Sequence, residues 1–206
     1  MHNIDLEIRS GEMIAIIGPS GSGKSTLMNI IGLLDRPTSG EYFLEGEKLT
    51  LNMSDAKLAQ IRATKIGFVF QSFNLLPKQT ALDNVLLPTH YVKQSVKTRE
   101  NALELLNKVG LGHRINHKPT EMSGGEKQRI AIARALVNNP DVILADEPTG
   151  NLDSKSGLAI MEILKKLNSE GKTILIITHD ERIANQCQRT IRIFDGKIVE
   201  EGSNEK

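Results

Sequence analysis

The chain has 206 residues, a formal net charge of +1 and a single cysteine, Cys187. A chain of this length buries about 70% of its unfolded surface, so it needs neither a disulfide nor a structural metal to fold. One cysteine excludes an internal disulfide and a cysteine-based zinc site, and the balanced charge does not indicate a general nucleic-acid-binding surface. No apolar segment approaches the ~20 residues that cross a bilayer, and residues 1–12 are too polar for a signal peptide. These limits predict a soluble cytoplasmic α/β protein.

The N-terminal part of the chain predicts two strands and a helix. Segment 2–8 has the pattern of an antiparallel strand, whereas segment 13–17 is apolar throughout, as in a strand buried on both faces of a mainly parallel sheet. Apolar residues at helical spacing predict a helix over 24–34. The loop between segment 13–17 and this helix is the first candidate site.

This loop, GPSGSGKST, fits the phosphate-binding pattern G-x-x-x-x-G-K-[ST], and it lies between a strand and a helix, as that pattern requires. Its glycines let successive N–H groups surround a phosphate chain, and the helix N-terminus adds positive potential. Lys24 would bridge the β- and γ-phosphates, and the Ser25 hydroxyl would bind Mg²⁺. The alternative is a flexible turn between strand and helix. The candidate nucleotide-binding residues are Gly18, Pro19, Ser20, Gly21, Ser22, Gly23, Lys24, Ser25 and Thr26.

Two further strands are predicted before the middle of the chain. Segment 41–46 predicts an antiparallel strand, and segment 66–70 predicts a strand of the main sheet that ends directly before Gln71. A glutamine in this position can reach Mg²⁺ or a water molecule without adding a charge. On its own, Gln71 would be only a plausible polar loop residue.

Residues from about 72 to 138 have helical patterns and no convincing strand, with helices over about 98–109 and over 124–138. We therefore expect a helical subdomain inserted between two strands of one domain, which spans residues 1–206. The second helix follows Ser123, Gly124 and Gly125, although adjacent glycines cost roughly 1 kcal/mol each inside a helix. Ser123 would serve as an N-cap, which leaves the second glycine unexplained.

Segment 142–145 predicts another buried strand, which delivers Asp146 and Glu147 to its carboxyl end, where open α/β sheets bind ligands. Asp146 suits a direct or water-mediated Mg²⁺ contact, and Glu147 suits a base that orients or deprotonates an attacking water. The alternative for two adjacent carboxylates is a pair of surface charges at the strand end.

The C-terminal part predicts a helix over 155–169, capped by Ser154, and a buried strand over 173–178 that ends before His179. His179 would contact the γ-phosphate or the attacking water, or else only cap a helix that starts near Asp180. A last strand over 190–194 leads into a predicted antiparallel hairpin on an Asp-Gly turn at 195–196.

Taken together, these motifs resemble those of the ATP-binding-cassette (ABC) ATPases over nearly the whole chain, and MSGGEKQR, residues 122–129, resembles the family's signature motif. The resemblance implies a P-loop ATPase fold with a mainly parallel core sheet, an antiparallel β part and an inserted helical subdomain. It also implies that ATP and Mg²⁺ bind between two copies of the chain. The signature residues Ser123, Gly124 and Gly125 would then contact the ATP that is held by the partner subunit, and this role accounts for the second glycine.

The resemblance assigns further roles residue by residue. It implies catalytic roles for Glu147, as the catalytic carboxylate, for His179, as the switch histidine, and for Gln71. It implies that the Mg²⁺ ligands are Ser25, Gln71 and Asp146. The segment GNLD matches the loop through which two cassettes contact each other, with Asp153 as its acidic residue.

Longer segments resemble the branch of the family that contains the macrolide exporter MacB and the lipoprotein-release ATPase LolD. The resemblance implies an ATPase that powers an export or lipoprotein-release permease by transmitting force across the membrane. The partners would be an integral membrane permease and a second ATPase subunit, at the cytoplasmic face of the inner membrane. We expect the permease to dock around 72–90, where Phe73, Leu75, Leu76 and Pro77 form an apolar cluster. The alternative is that this cluster packs inside the helical subdomain.

The sequence departs from the family pattern at one position. Members usually carry an aromatic residue upstream of segment 2–8, against which the adenine stacks, and Tyr42 lies in the wrong place by motif order. Because base stacking is worth ~1–3 kcal/mol, we expect an ATP affinity about 5- to 150-fold weaker without that residue, and we expect the native chain to start further upstream. Two other functions stay open at this point: a soluble ABC ATPase that acts on ribosomes or DNA, and a nucleotide-binding module without hydrolysis.

Overall fold

The structure is a computed structural model that describes residues 1, 3–50, 52–92 and 98–204. Its strands are β1 (Met13–Ile17), β2 (Tyr42–Leu44), β3 (Glu47–Leu49), β4 (Ile66–Phe70), β5 (Val142–Asp146), β6 (Thr173–Ile177), β7 (Arg189–Phe194) and β8 (Lys197–Ser203). Six of them form one sheet in the order β4-β5-β6-β1-β7-β8, and β2 pairs with β3 in a separate antiparallel hairpin. Within the large sheet only the β7–β8 pair is antiparallel. The predicted fold class, a mainly parallel sheet with an antiparallel part, is therefore confirmed.

The helices are α1 (Lys24–Ile31), α2 (Asp55–Lys65), α3 (Ala81–Leu86), α4 (Thr98–Lys108), α5 (Gly124–Leu136), α6 (Ser154–Ser169) and α7 (Glu181–Ala184). Three short 3₁₀ helices lie at Leu87–Tyr91, Gly112–Arg114 and Pro119–Glu121. The described residues between β4 and β5 contain helices and no strand, as the sequence predicts. They include α5, whose N-terminus carries the candidate signature residues.

The large sheet is covered on both faces. Strand β1 is buried along its whole length: Met13, Ala15 and Ile17 face one apolar cluster, and Ile14 and Ile16 face the other. The first cluster also contains apolar residues of α3, α4, α5 and α6, and the second contains residues of α1 and α2. Burial on both faces explains why the central strands lack polar alternation.

Several predicted elements differ from the structure. The strand predicted over 2–8 is wrong: residues 4–8 have no strand assignment, and His2 lies outside the described residues. Helix α1 ends at Ile31 rather than at residue 34, and Gly32 is its C-cap. Asp153, rather than Ser154, caps α6, and its carboxylate accepts a hydrogen bond from the Ser156 N–H at 3.0 Å. Helix α2 has no clear signal in the sequence, because its apolar periodicity is weak and Leu58 is its one buried residue.

Gly67 in β4 allows α5 to pack closely against the sheet. A Cβ atom at this position would lie 2.6 Å from the Ala135 carbonyl oxygen and 3.1 Å from a ring carbon of Pro140. We therefore expect Gly67→Ala to destabilise the protein by about 2 kcal/mol, since a rigid backbone carbonyl cannot move aside cheaply. Thermal unfolding should show a melting temperature that is about 4–8 °C lower. Gly202→Ala is the matched control, because no atom of the described residues, apart from its chain neighbours, lies within 4 Å of its Cβ position. An equal loss of stability in both variants would contradict the proposed role of Gly67.

Candidate nucleotide-binding and catalytic site

The carboxyl ends of four neighbouring strands lie side by side at one edge of the sheet. Phe70 of β4 pairs with Asp146 of β5, Asp146 pairs with Ile177 of β6, and Ile177 pairs with Ile16 of β1. Because these parallel strands end in register, the residues that follow each of them meet at the same place. This edge therefore brings together the phosphate loop, Gln71, Glu147 and His179.

The phosphate loop presents a helix N-terminus without a side-chain cap. Gly23, the N-cap of α1, has a φ of 104°, makes no side-chain capping bond, and is followed by a first helical turn without an acidic residue. The first N–H groups of a helix lack intrahelical partners, so this end of α1 can accept an anion. The exposed side chains of Ser25 and Thr26 point away from the core at the same end.

Lys24 folds back over the loop that it follows. Its Nζ donates hydrogen bonds of 2.8 Å to the carbonyl oxygens of both Gly18 and Pro19. The close packing of this loop depends on Gly18, where a Cβ atom would lie 2.1 Å from the Ile193 carbonyl oxygen. The loop is also tied to the β7–β8 turn, since the Gly196 N–H donates to the Ser22 carbonyl at 2.9 Å.

Asp146 lies at the end of β5, half buried and within the electrostatic influence of Lys24. Burial is the main cause that raises the pKa of its carboxyl group above the ordinary value, and the charge of Glu147 adds to this, whereas the charge of Lys24 opposes it. A nearby cation therefore stabilises the ionised form. Asp146, the Ser25 hydroxyl and the Gln71 amide oxygen are the hard oxygen donors that suit Mg²⁺.

Glu147 is held by the residues that follow β6. Its carboxylate accepts hydrogen bonds from the Thr178 hydroxyl at 3.2 Å and from the His179 N–H at 3.0 Å, and Oε1 lies 2.6 Å from His179 Nδ1. Glu147 also has a positive φ of 44°, a backbone conformation that non-glycine residues rarely adopt and that is typical of functional sites. The Asp180 side chain caps α7, so the alternative role of His179 as that cap is not supported.

Gln71 contacts the loop after β5 instead of projecting freely into the site. Its Nε2 donates to Asn151 Oδ1 at 3.4 Å, and the Asn151 Nδ2 donates to the Gln71 carbonyl at 3.0 Å. Gly150 permits this approach, because a Cβ atom there would lie 2.7 Å from the Gln71 Nε2. The segment GNLD, to which the family resemblance assigns contacts between subunits, therefore also holds Gln71 in place.

The signature residues form the first turn of α5. The Ser123 hydroxyl accepts from the Glu126 N–H at 3.3 Å, and the Glu126 carboxylate accepts from the Ser123 N–H at 2.9 Å, which completes a capping box. The hydrogen bond from the Ser123 N–H is the main cause that lowers the pKa of the Glu126 carboxyl group. Ser123 is exposed, whereas Gly125 is buried.

Gly125 also has an intramolecular reason to be a glycine, which the sequence analysis missed. A Cβ atom at Gly125 would lie 3.0–3.1 Å from the side-chain atoms of Ser156, in the first turn of α6. A Cβ atom at Gly124 would lie nearest to Leu152, Asn151 and Phe73. None of these neighbours belongs to the phosphate loop of the same chain.

Comparison with known proteins identifies the family. The family model described as ABC transporter matches residues 1–150. The chain belongs to the ABC transporter family. It is an ABC ATPase, as the sequence motifs predict.

Relatives from bacteria and archaea cover almost all of this chain. The uncharacterised ABC transporter ATP-binding protein YvrO of Bacillus subtilis is 56% identical over 97% of this chain and 87% of its own length. The macrolide export ATP-binding/permease protein MacB of Bartonella quintana is 52% identical over 97% of this chain but only 30% of its own length. The predicted resemblance to the branch that contains MacB is therefore confirmed, and neither a ribosomal nor a DNA-directed role is favoured.

A solved structure of the same fold is that of the ATP-binding cassette MJ0796 of Methanocaldococcus jannaschii, a dimer in a post-hydrolysis state bound to ADP and Pi. It is 49% identical, with a TM-score of 0.89, over 99% of this chain and 90% of the MJ0796 chain. Within the described residues of our cassette, no helix is long and apolar enough to cross a membrane.

Proposed function

We propose that this cassette binds MgATP at the carboxyl edge of its sheet, hydrolyses it between two copies of the chain, and thereby drives a membrane permease. The observation that carries this proposal is the in-register convergence of the phosphate loop, Asp146, Glu147 and His179 at one sheet edge. The dimeric, ADP- and Pi-bound state of MJ0796 supports the two-copy arrangement.

The phosphate loop would hold the triphosphate through its N–H groups and through Lys24. The Lys24 ammonium group would exchange its hydrogen bonds to the Gly18 and Pro19 carbonyls for bonds to the β- and γ-phosphates. Ser25, Gln71 and Asp146 would hold the Mg²⁺ that arrives with ATP. When bound, this ion neutralises phosphate charge during transfer.

Glu147 would act as the base for hydrolysis. A water molecule attacks the γ-phosphorus, its proton passes to the Glu147 carboxylate, and the bond to the ADP oxygen breaks. The hydrogen bonds from the Thr178 hydroxyl and the His179 N–H fix the direction of the carboxylate. His179, whose side chain is 74% exposed, would stabilise the charge that develops on the phosphate, together with Lys24 and the partner's Ser123.

The permease would dock on residues 72–77, which we call the docking loop, and on the neighbouring 3₁₀ helix. Leu76 and Tyr91 expose 43% and 70% of their surface there. Leu75 packs against the core instead, so only part of the predicted apolar cluster is available. Such docking would place the cassette at the cytoplasmic face of the inner membrane, and the similarity to the ATPase part of MacB supports an export or mechanotransmission permease as the partner.

The phosphate-site assignment is tested by Lys24→Ala. We expect the affinity for MgATP to fall about 10- to 150-fold, because a hydrogen bond to a charged group is worth about 1.5–3 kcal/mol. Isothermal titration calorimetry measures this loss directly. Lys172→Ala is the control. The Lys172 ammonium also donates to a backbone carbonyl, that of Pro140 at 2.7 Å, but Pro140 follows the C-terminal end of α5, outside the phosphate loop. Unchanged affinity in Lys24→Ala would show that this loop does not hold the phosphates.

A further inference from the structure

Arg134 is a buried cation that the proposed hydrolysis does not use. It lies near the C-terminal end of α5, ten residues after Gly124, and only 9% of its surface is exposed. Burial lowers the pKa of its guanidinium group, and among the described residues no acidic side chain offsets this effect. A buried charge without a carboxylate partner must be stabilised by hydrogen bonds to be tolerated.

The hydrogen-bond partners of Arg134 are two carbonyl groups of the docking loop. The guanidinium donates to the Phe73 carbonyl at 2.8 Å and to the Asn74 carbonyl, about 60 residues earlier in the chain. Phe73 and Asn74 both have positive φ, 61° and 49°. Phenylalanine rarely adopts this conformation, so the surrounding contacts have to impose it.

The docking loop also lies close to the N-terminal end of α5. A Cβ atom on Gly124 would lie 3.9 Å from the tip of the Phe73 ring, which places this ring beside the signature residues. The loop is also held by the fully buried Asn84 of α3. Its Oδ1 accepts from the Leu76 N–H at 2.7 Å, and its Nδ2 donates to the Thr80 carbonyl at 2.9 Å.

Helix α5 also reaches the loop that carries Glu147. Gln128, which is fully buried, donates from Nε2 to the Pro148 carbonyl at 2.7 Å. Its Oε1 has no hydrogen-bond partner among the described residues, so the amide is oriented by this one bond. One rigid helix therefore holds the docking loop through Arg134 and the catalytic loop through Gln128.

We propose that Arg134 is a positioning residue that fixes the docking loop to the signature helix, so that movement of a docked permease is transmitted to Ser123 and to Glu147. This inference rests on the proposed function, because it takes residues 72–77 as the permease contact. It adds a specific contact to that function: one guanidinium group binds the carbonyls of two residues with positive φ, Phe73 and Asn74, and so holds them against the C-terminal end of α5.

The test compares Arg134→Met, Arg134→Lys and Arg62→Met. Methionine keeps an unbranched apolar chain but removes all donors, whereas lysine retains the charge and can bind one of the two carbonyls. Arg62 is the matched control: its Nη1 donates to the Leu33 carbonyl at 2.6 Å, 29 residues away, and Leu33 also has a positive φ of 56°. Arg62 lies on α2, outside the docking loop and the site.

The first readout is a tryptophan reporter at Phe73→Trp, in a chain that otherwise contains no tryptophan. In nucleotide-free protein, acrylamide quenching of this reporter should increase severalfold when Arg134→Met is added, increase less with Arg134→Lys, and stay unchanged with Arg62→Met. Equal quenching in the Arg134→Met and parent backgrounds would overturn the proposal.

The second readout is turnover without the reporter. We expect Arg134→Met to lower kcat about 3- to 30-fold with monomer ATP affinity unchanged, and Arg134→Lys to restore part of the loss. If Arg134→Met and Arg62→Met lost the same kcat and the same thermal stability, the proposal would be wrong, and Arg134 would contribute only to packing. A parent protein that does not hydrolyse ATP refutes the proposed function instead, while the quenching result still decides whether Arg134 holds the loop.

Discussion

Replacing Glu147 by glutamine is expected to reduce ATP turnover about 1000-fold while leaving ATP binding intact. Glutamine has the size of glutamate and can still accept a hydrogen bond from the Thr178 hydroxyl, but it cannot take a proton from the attacking water. The phosphate loop, which supplies most of the binding, is not altered. The variant should therefore accumulate as an ATP-bound dimer, which size-exclusion chromatography detects by its earlier elution.

Glu162→Gln is the matched control for this experiment. Glu162 lies on α6 with its side chain 72% exposed, and its one ion pair within the described part of the chain is with Lys165. Removing its charge should change neither turnover nor elution volume. Hydrolysis by Glu147→Gln at the parent rate would refute the assignment of the base, whatever the elution volume.

Replacing Ser123 by aspartate is expected to abolish dimer formation and turnover while the monomer keeps its affinity for ATP. An aspartate at this exposed position would place a carboxylate where the partner's γ-phosphate binds in the proposed dimer. Two like charges about 4 Å apart repel by roughly 4 kcal/mol near a protein surface, which corresponds to a loss of about 1000-fold. Turnover and analytical ultracentrifugation with MgATP measure the two effects.

The matched variant Ser123→Asn separates the charge from the helix cap. Aspartate and asparagine have nearly the same shape and both cap helices as well as serine does, so α5 should begin normally in either variant. Only Ser123→Asp adds a negative charge, and its turnover should be far below that of Ser123→Asn. Loss of ATP binding in monomeric Ser123→Asp would mean that the signature residues contact the nucleotide of their own chain.

The candidate site was predictable because its chemistry is local in sequence. Each buried strand ends at or close to its functional residues: β1 ends directly before Gly18, β5 ends directly before Glu147, and only Thr178 separates the end of β6 from His179. Parallel pairing then brings these ends together without further information. The hydrophobic run and the polar residues after it were sufficient to predict each strand and the meeting of these residues at one edge of the sheet.

The elements that sequence reasoning missed depend on contacts between distant residues. Segment 4–8 has the alternation of a strand, with Ile4, Leu6 and Ile8 packed against the core, but a strand requires a paired neighbour that the pattern cannot supply. Asp153 and Ser154 are both good helix caps, and only the backbone geometry decides between them.

The second glycine of the signature illustrates the same limit at the site itself. The sequence pattern explains Gly125 by the close approach of a phosphate of the partner subunit. The structure also places Ser156 of the same chain within 3.1 Å of the Cβ position of Gly125. The bond from Arg134 to the docking loop spans about 60 residues and has no local pattern either. Such contacts become visible only in the folded chain.

Turnover per chain at saturating MgATP, measured as a function of protein concentration, shows whether ATP is hydrolysed at a site shared by two copies of the chain. We expect turnover per chain to rise in proportion to concentration while the protein is monomeric, and to level off once light scattering shows dimers. A constant turnover per chain across a range in which scattering shows only monomers would contradict the shared site.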